Sequence, residues 1–173
     1  MLFAESKTEM TLINLTLADE IMAARVGHTR TIECIAKHHS ENSDVKRTLF
    51  ENIANQSAAV AAEIAVARWL GCTGFDPSET RFKNNADVGA NVEVKWSRWF
   101  DTALHIQPTD RDTDVAVLVT GNSPNLRIVG WMPVINAKRP RYKHSKFRGW
   151  SVSQINLHPI ESLLRSNYAN VRI

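Results

Sequence analysis

The 173-residue sequence contains only two cysteines and no long apolar segment. Cys34 and Cys72 stand far apart, so neither a disulfide framework nor the paired spacing of a zinc site is predicted. Apolar stretches such as residues 115–119 fall well short of the roughly 18 residues that a membrane span requires. The first ten residues lack the basic and then apolar segments of a secretory signal. These absences favour a globular protein of a reducing cytoplasm that has no membrane partner.

Acidic side chains are missing from one long part of the sequence. Residues 1–114 contain 12 basic and 17 acidic side chains, whereas residues 115–160 contain 7 basic and no acidic ones. The formal net charge of the whole chain is only +3, so the total hides this segregation. An excess of Lys and Arg in one region favours an anionic partner, most often a nucleic acid.

Helical periodicity dominates the first 72 residues. Thr16 can cap a first helix that Gly27 interrupts, and a second short helix follows the glycine. Asp44 can cap a long third helix that ends near Gly71. This region is therefore expected to be entirely helical.

The middle of the chain, residues 73–132, has the pattern of strands and turns. Residues 91–97 alternate apolar with polar side chains, and residues 115–120 form the continuous apolar run of a buried central strand. Further short strands are expected at residues 103–106, 126–131 and 150–152. Helices followed by mixed strands predict an α/β domain with a central mixed β-sheet flanked by helices.

The side chains best suited to chemistry lie in DVGANVEVK, residues 87–95. A tight turn at residues 89–91 would place Asp87 directly opposite Glu93 on paired strands, where Cβ atoms are about 4.5–5.5 Å apart. Lys95 follows Glu93 by two residues and would share that face, while the alternating apolar residues would point into the core. The spacing predicts two carboxylates and one amine in a single patch.

This set of side chains suits metal-dependent phosphodiester hydrolysis. Adjacent carboxylates repel each other unless a cation lies between them, and oxygen ligands select Mg²⁺ or Mn²⁺. A bound metal polarises the phosphate and lowers the pKa of a bound water, while Lys95 can hold that water or stabilise charge on the phosphate. The backbone carbonyl of Val94 is a further candidate ligand.

Glu63 is the candidate fourth member of this site. Its helical neighbours are apolar on all sides, which indicates a buried helix, and a buried carboxylate is costly unless it is paired or bound to a metal. Nearby alanines would let the helix approach the sheet closely enough for Glu63 to reach Asp87 and Glu93. The alternative is a structural ion pair with an arginine such as Arg68.

A helix with Glu63, followed by Asp87 and by Glu93-Val94-Lys95 on adjacent strands, resembles the PD-(D/E)XK nuclease superfamily. The resemblance covers residues 45–132. It implies a restriction-endonuclease-like fold and a Mg²⁺-dependent or Mn²⁺-dependent deoxyribonuclease. In that family pattern Asp87 and Glu93 are metal ligands, Lys95 is the catalytic lysine and Glu63 matches the helical glutamate.

The resemblance has further implications for the whole chain. It implies one nuclease-like domain over residues 1–173, with an N-terminal helical element (1–44), a catalytic core (45–132), and a basic loop with a C-terminal element (133–173). Gln107 matches a polar residue that some members place near the site, whereas Ala86 stands where a proline is usual. Two copies are expected to pair as a homodimer. A phage or mobile-element origin would suit a small stand-alone nuclease.

Residues 138–148, which we call the basic segment, form the second candidate site. Its basic side chains are Lys138, Arg139, Arg141, Lys143, Lys146 and Arg148, with Tyr142 and Phe147 between them. Lys and Arg neutralise phosphates, and aromatic rings stack on unpaired bases. We expect a loop that grips DNA beside the catalytic site, and Arg98 could extend this surface.

Less specific interpretations of the same residues remain open. The face with Asp87 and Glu93 could be a solvated hairpin with an ordinary ion pair, and the basic segment could be a disordered loop kept soluble by charge. Asp110, Asp112 and Asp114 are expected to form a solvated turn, because the glycine and glutamate of a calcium loop are missing. The protein could instead be a non-catalytic nucleic-acid-binding module or an assembly protein that docks an acidic partner.

Overall fold

The structure, a computed structural model, describes residues 11–37, 47–79 and 85–168. Its helices and strands are β1 (Thr11–Asn14), α1 (Leu17–Lys37), α2 (Leu49–Trp69), β2 (Val92–Ser97), β3 (Leu104–Ile106), β4 (Val115–Asn122), β5 (Asn125–Pro133), α3 (Val134–Ala137) and β6 (Trp150–Val152). Short 3₁₀ helices occupy Pro140–Tyr142, Gln154–Asn156 and Ile160–Arg165. Within these ranges, no helix is both long enough and apolar enough to cross a membrane.

The two long helices pack against each other, and α1 continues through Gly27. The predicted interruption is therefore wrong. A Cβ atom on Gly27 would lie only 2.4 Å from the backbone nitrogen of Ser57 on α2, so the glycine serves a close helix crossing. The cap of α2 is Thr48, whose hydroxyl and backbone N–H bond reciprocally with Glu51. The predicted cap, Asp44, lies outside the described residues.

Four strands form a mixed sheet in the order β1-β5-β4-β2. β2 runs parallel to β4, while β4 and β5 form an antiparallel hairpin and β1 runs antiparallel to β5. β3 and β6 form a separate two-stranded sheet. The prediction of a mixed α/β fold, with a mixed sheet flanked by helices, is confirmed at this level.

The edge strand Thr11–Asn14 corrects the prediction that residues 1–44 are entirely helical. Thr11 pairs with Ile128 on β5, and Ile13 packs against the core. Four residues are too few for an apolar period to distinguish a strand from a helix. The pairing partner, which lies far along the chain, decides the conformation.

The four-stranded sheet separates two apolar cores. Val115, Val117 and Val119 of β4 belong to the core beneath α1 and α2. Ala116 and Leu118, which alternate with them, belong to a second core with β3, β6 and α3. The molecule thus has three layers, and within the described part of the chain β2 is an edge strand that pairs on its outer side only through the bridge of Val88 with Val92.

The basic segment is a loop that contains one short 3₁₀ helix and one β-bridge. α3 leads into the 3₁₀ helix Pro140–Tyr142, and Lys143 then forms a β-bridge with Trp150. The backbone N–H of His144 donates to the carbonyl of Gly149 at 3.0 Å. The chain after Arg141 therefore turns back onto β6.

Candidate functional site

The turn before β2 has the register that the sequence predicts. Val88 and Val92 exchange two backbone hydrogen bonds, of 3.0 and 3.2 Å, around the three residues 89–91. Gly89 has a φ of +60°, a conformation that glycine adopts without steric cost. This pairing places Asp87 directly opposite Glu93.

The Asp87 carboxylate lies at the outer edge of β2. Its Oδ2 accepts a hydrogen bond of 2.8 Å from the backbone N–H of Val94. The N–H and C=O of one strand residue point to the same edge, so the Val94 carbonyl lies on the Asp87 side of the strand. Burial, together with the negative charges of Glu93 and Glu63, raises the pKa of Asp87 to about 7.

Lys95 is held between two carboxylates on the β3 and β6 side of the sheet. Its Nζ lies 2.9 Å from Glu93 Oε1 and 2.9 Å from Asp110 Oδ1. Burial opposes the charged form, but these two carboxylates outweigh it and raise the pKa of Lys95. The side chain is therefore a fixed ammonium ion at neutral pH.

Asp110 is a site residue that the sequence analysis missed. The expected solvated turn is wrong here, because the side chains of Asp110 and Asp114 are only 8% and 3% exposed. Asp110 pairs with Lys95 and accepts the backbone N–H of Gln107 at 2.8 Å, while Asp114 pairs with Arg111. The alternating aspartates were visible in the sequence, but their cationic partners were not.

Lys138 contacts the loop that carries Asp110. Its ammonium group donates to the carbonyls of Pro108 and Asp110 and to the carboxylate of Asp112. These contacts hold the loop that carries Asp110. Oxygens of the protein thus already contact the charge of Lys138, and its predicted role in gripping a phosphate backbone stays a prediction.

Glu63 has a different environment from the one that a ligand role requires. The guanidinium of Arg30 donates to Oε1 at 2.7 Å and to Oε2 at 2.8 Å, and also to the carbonyl of Pro77. The alternative partner Arg68 pairs with Asp19 instead. Burial raises the pKa of Glu63, and its hydrogen bonds to Arg30 oppose that shift.

Glu63 and the Glu93–Lys95 pair belong to opposite layers of the molecule. Glu93 lies in register with Ala116 and so faces the second core, whereas Glu63 is buried on α2 over the first core. Their charges nevertheless both act on the pKa of Asp87. Asp87, at the edge of the sheet, therefore lies within the electrostatic range of both Glu93 and Glu63.

The residues at this edge fit a hard divalent cation in donor type and in charge. Among the described residues, no group of three or more His, Cys, Asp or Glu side chains is arranged to hold a metal. Mg²⁺, however, is commonly bound by one or two carboxylates together with water, and Asp87, Glu93 and the Val94 carbonyl offer oxygen donors. Burial and the neighbouring carboxylates of Glu93 and Glu63 disfavour the charged form of Asp87, and a bound cation would favour it.

An open cleft of about 1110 Å³ adjoins Lys95. Six of its lining residues bear on function: Lys95, His105, Gln107, His144, Phe147 and Arg148. Gln107 and Arg148, both predicted site residues, therefore share a cleft with Lys95. The two histidines are additions that only the fold brings to this place, and Phe147 of the basic segment lies with them.

The other predicted basic residues are distributed more widely. Arg139 donates to Asn136, Arg141 lies over the ring of Tyr142, Lys143 lies over the ring of Trp150, and Lys146 is exposed. Arg98 is exposed and donates to Asn55 of α2 at 3.1 Å, and its extension of the basic surface stays a prediction. Of these basic residues and Arg148, only Arg148 lines the cleft.

Comparison with known proteins returns no relative: no protein-family model matches the chain, and neither do curated proteins or solved structures. The chemistry of the site is therefore the basis for assigning a function.

Proposed function

We propose that this protein is a Mg²⁺-dependent or Mn²⁺-dependent endonuclease that hydrolyses phosphodiester bonds in DNA. The observation that carries the proposal is the pair of Asp87 and Glu93 across a three-residue turn, with the ammonium of Lys95 2.9 Å from Glu93. Val94 and Lys95 line a cleft that is large enough for a nucleic-acid strand. The helix α2, this hairpin and the parallel crossover from β2 to β4 support a restriction-endonuclease-like core.

The proposed metal ligands are Asp87, Glu93 and the backbone carbonyl of Val94. A bound Mg²⁺ supplies a Lewis acid for the phosphate and a water of lowered pKa. Asp87 suits this role because its carboxylate lies within the electrostatic range of two other acids, Glu93 and Glu63, which a shared cation would neutralise. Glu63 is better described as a positioning residue, since Arg30 occupies both of its oxygens.

Lys95 supplies a fixed positive charge to the reacting phosphate. Glu93 and Asp110 hold the ammonium from two sides, so little reorganisation is needed when negative charge develops on the phosphate oxygens. The network from Lys138 through the Asp110 loop supports that position. Arg148 in the same cleft, together with the exposed Lys143 and Lys146 of the basic segment, would neutralise phosphates of the DNA strand.

Plasmid nicking tests this proposal. Supercoiled DNA is incubated with Mg²⁺, with Mn²⁺ or with EDTA, using the native protein, Lys95→Ala and Glu93→Gln. We expect metal-dependent nicking that falls by roughly 10²–10³-fold in both variants, because each removes a group that stabilises the transition state. Glu161→Gln, an exposed acid outside the site, is the matched control and should nick normally.

Undiminished nicking by Lys95→Ala would refute the site assignment. The second candidate function is a non-catalytic nucleic-acid-binding module, which the sparse carboxylate ligand set favours. Tight binding of plasmid, single-stranded and branched DNA without cleavage by either metal would support that alternative. The homodimer stays a prediction, as does a viral or mobile-element source.

A further inference from the structure

Three aromatic rings form one wall of the cleft beside Lys95. His105 lies on β3, while His144 and Phe147 lie in the turn that precedes β6. The ring centroids of His144 and Phe147 are 4.1 Å apart, and those of His105 and Phe147 are 5.1 Å apart. We call these three residues the aromatic wall. Phe147 remains 36% exposed, so part of its surface is available to a ligand.

The local backbone holds the aromatic wall in place. A Cβ atom on Gly149 would lie 2.4 Å from the carbonyl oxygen of Ile106 and 2.6 Å from the ring of Phe147. Only a residue without a side chain lets the turn close so tightly on β3. His144 Nδ1 accepts the backbone N–H of Lys146 at 3.1 Å, which fixes that ring within the turn. The wall is therefore formed before any ligand arrives.

The His144 and Phe147 rings are inclined by 33° to each other, while the His105 ring is nearly perpendicular to both, so the wall offers the exposed part of Phe147 for ring contact. The cleft combines this aromatic surface with positive charge. Lys95 and Arg148 line the same space as the three rings, and Gln107 adds an amide. A ligand that satisfies both features carries a planar ring and a phosphate, as a nucleotide does. Aromatic side chains stack on bases of every type, so such a surface tolerates any sequence.

We propose that the aromatic wall is a subsite for one unpaired base, so that the preferred substrate is single-stranded or locally unpaired DNA. This inference rests on the proposed function in that a DNA strand enters the cleft. Bases within a duplex are already stacked on their neighbours and cannot present a face to Phe147. An unstacked base beside a phosphate near Lys95 can occupy the wall without disrupting paired DNA.

Binding measurements without metal test the subsite separately from catalysis. Fluorescence anisotropy in EDTA compares a short labelled single strand with the blunt duplex of the same sequence. We expect Phe147→Ala and Phe147→Leu to weaken single-strand binding by roughly 5- to 100-fold and to leave duplex binding within about twofold. Phe147→Leu keeps apolar volume in the turn and guards against a folding defect. Phe50→Ala, at an 82% exposed phenylalanine outside the cleft lining, should bind both forms normally.

An abasic scan of the single strand completes the test. Removal of one particular base should weaken binding to the native protein and have little further effect on Phe147→Leu, since the two changes remove the same contact. Equal weakening of single-strand and duplex binding, or a native protein that no abasic position affects, would overturn the subsite.

The outcomes also separate this inference from the proposed hydrolysis. If the scan identifies a stacked base but neither DNA form is cleaved with Mg²⁺ or Mn²⁺, the hydrolysis proposal fails and the subsite stands. If plasmid is nicked while Phe147→Ala and Phe147→Leu bind like the native protein, the subsite alone fails.

Discussion

The ion pair between Arg30 and Glu63 joins the two long helices in a nearly dry environment. Their side chains are 14% and 6% exposed, and two parallel hydrogen bonds link them. A buried pair contributes modestly to stability compared with apolar packing, but loss of one partner is costly because a buried charge loses its compensation. The pair is therefore expected to matter first for stability and only through it for activity.

Glu63→Gln should lower the free energy of unfolding by about 3 kcal/mol, because the amide no longer neutralises the guanidinium of Arg30. Urea unfolding measures this change, and Glu161→Gln is the exposed control, expected to stay within about 0.5 kcal/mol. Unchanged stability together with lost DNA cleavage would instead identify Glu63 as a metal ligand.

Asp87 should make the metal-free protein less stable as the pH rises. Its pKa is raised from 3.8 to about 7, so the folded protein binds this proton more tightly than the unfolded chain does. The resulting stability is complete below pH 3.8 and is lost as the pH rises through about 7.

Asp87→Asn isolates this contribution, because the amide oxygen can still accept the N–H of Val94. In EDTA, the variant should be more stable than the native protein by on the order of 2 kcal/mol at pH 8, with no advantage at pH 3.5. Chemical unfolding at both pH values measures the difference. A difference in unfolding free energy that is the same at pH 8 and at pH 3.5 would contradict the raised pKa of Asp87.

The close crossing of α1 and α2 depends on Gly27, which has no side chain. Gly27 approaches the backbone of Ser57 so closely that any Cβ must push α2 away. The same element carries Arg30 one turn later, so the crossing also sets the distance over which Arg30 reaches Glu63. A shift of the helices would therefore disturb both packing and charge.

Gly27→Ala should lower the free energy of unfolding by about 2 kcal/mol, because overpacking outweighs the gain in helix propensity. The midpoint of thermal unfolding should fall by roughly 4–8 °C. Gly74→Ala is the matched control, since its added Cβ meets no heavy atom of the described residues within 4 Å. Equal melting temperatures for the two variants would show that α1 and α2 do not cross this closely in solution.

Under the proposed function, the distribution of charge over the whole molecule should govern the binding of DNA. The acid-free part of the chain, residues 115–160, includes the folded basic segment next to the cleft. The acidic side chains of the turn before β4 are paired within the protein: Asp110 with Lys95, Asp114 with Arg111 and Asp112 with Lys138. A phosphate backbone would therefore encounter an excess of positive charge along one side of the cleft.

The DNA-binding constant should fall less steeply with salt when Lys143, Lys146 and Arg148 are replaced by alanine. The plot of log binding constant against log salt concentration should become shallower by roughly 2, because fewer counterions are released. Titrations at several salt concentrations measure the slope, with Arg165→Ala as a control outside the basic segment. An unaltered slope in the triple variant would show that these residues do not contact phosphate.

Local features of the sequence were enough to predict the hairpin that presents Asp87 and Glu93. A glycine-containing turn and strict alternation define a register within nine residues, and the structure has that register. The continuous apolar run of β4 likewise identified a buried strand. Such predictions succeed because every interacting residue is close along the chain, so the conformational period alone determines which side chains share a face.

Contacts between distant segments lay beyond the reach of sequence patterns. Asp110 beside Lys95, Arg30 beside Glu63 and strand Thr11–Asn14 beside β5 each join parts of the chain that no local period connects. Folding places them together because buried charges require partners and edge backbone groups require hydrogen bonds. The sequence therefore specified the types of side chain at the hairpin, and the packing of the layers chose their partners and assembled the cleft.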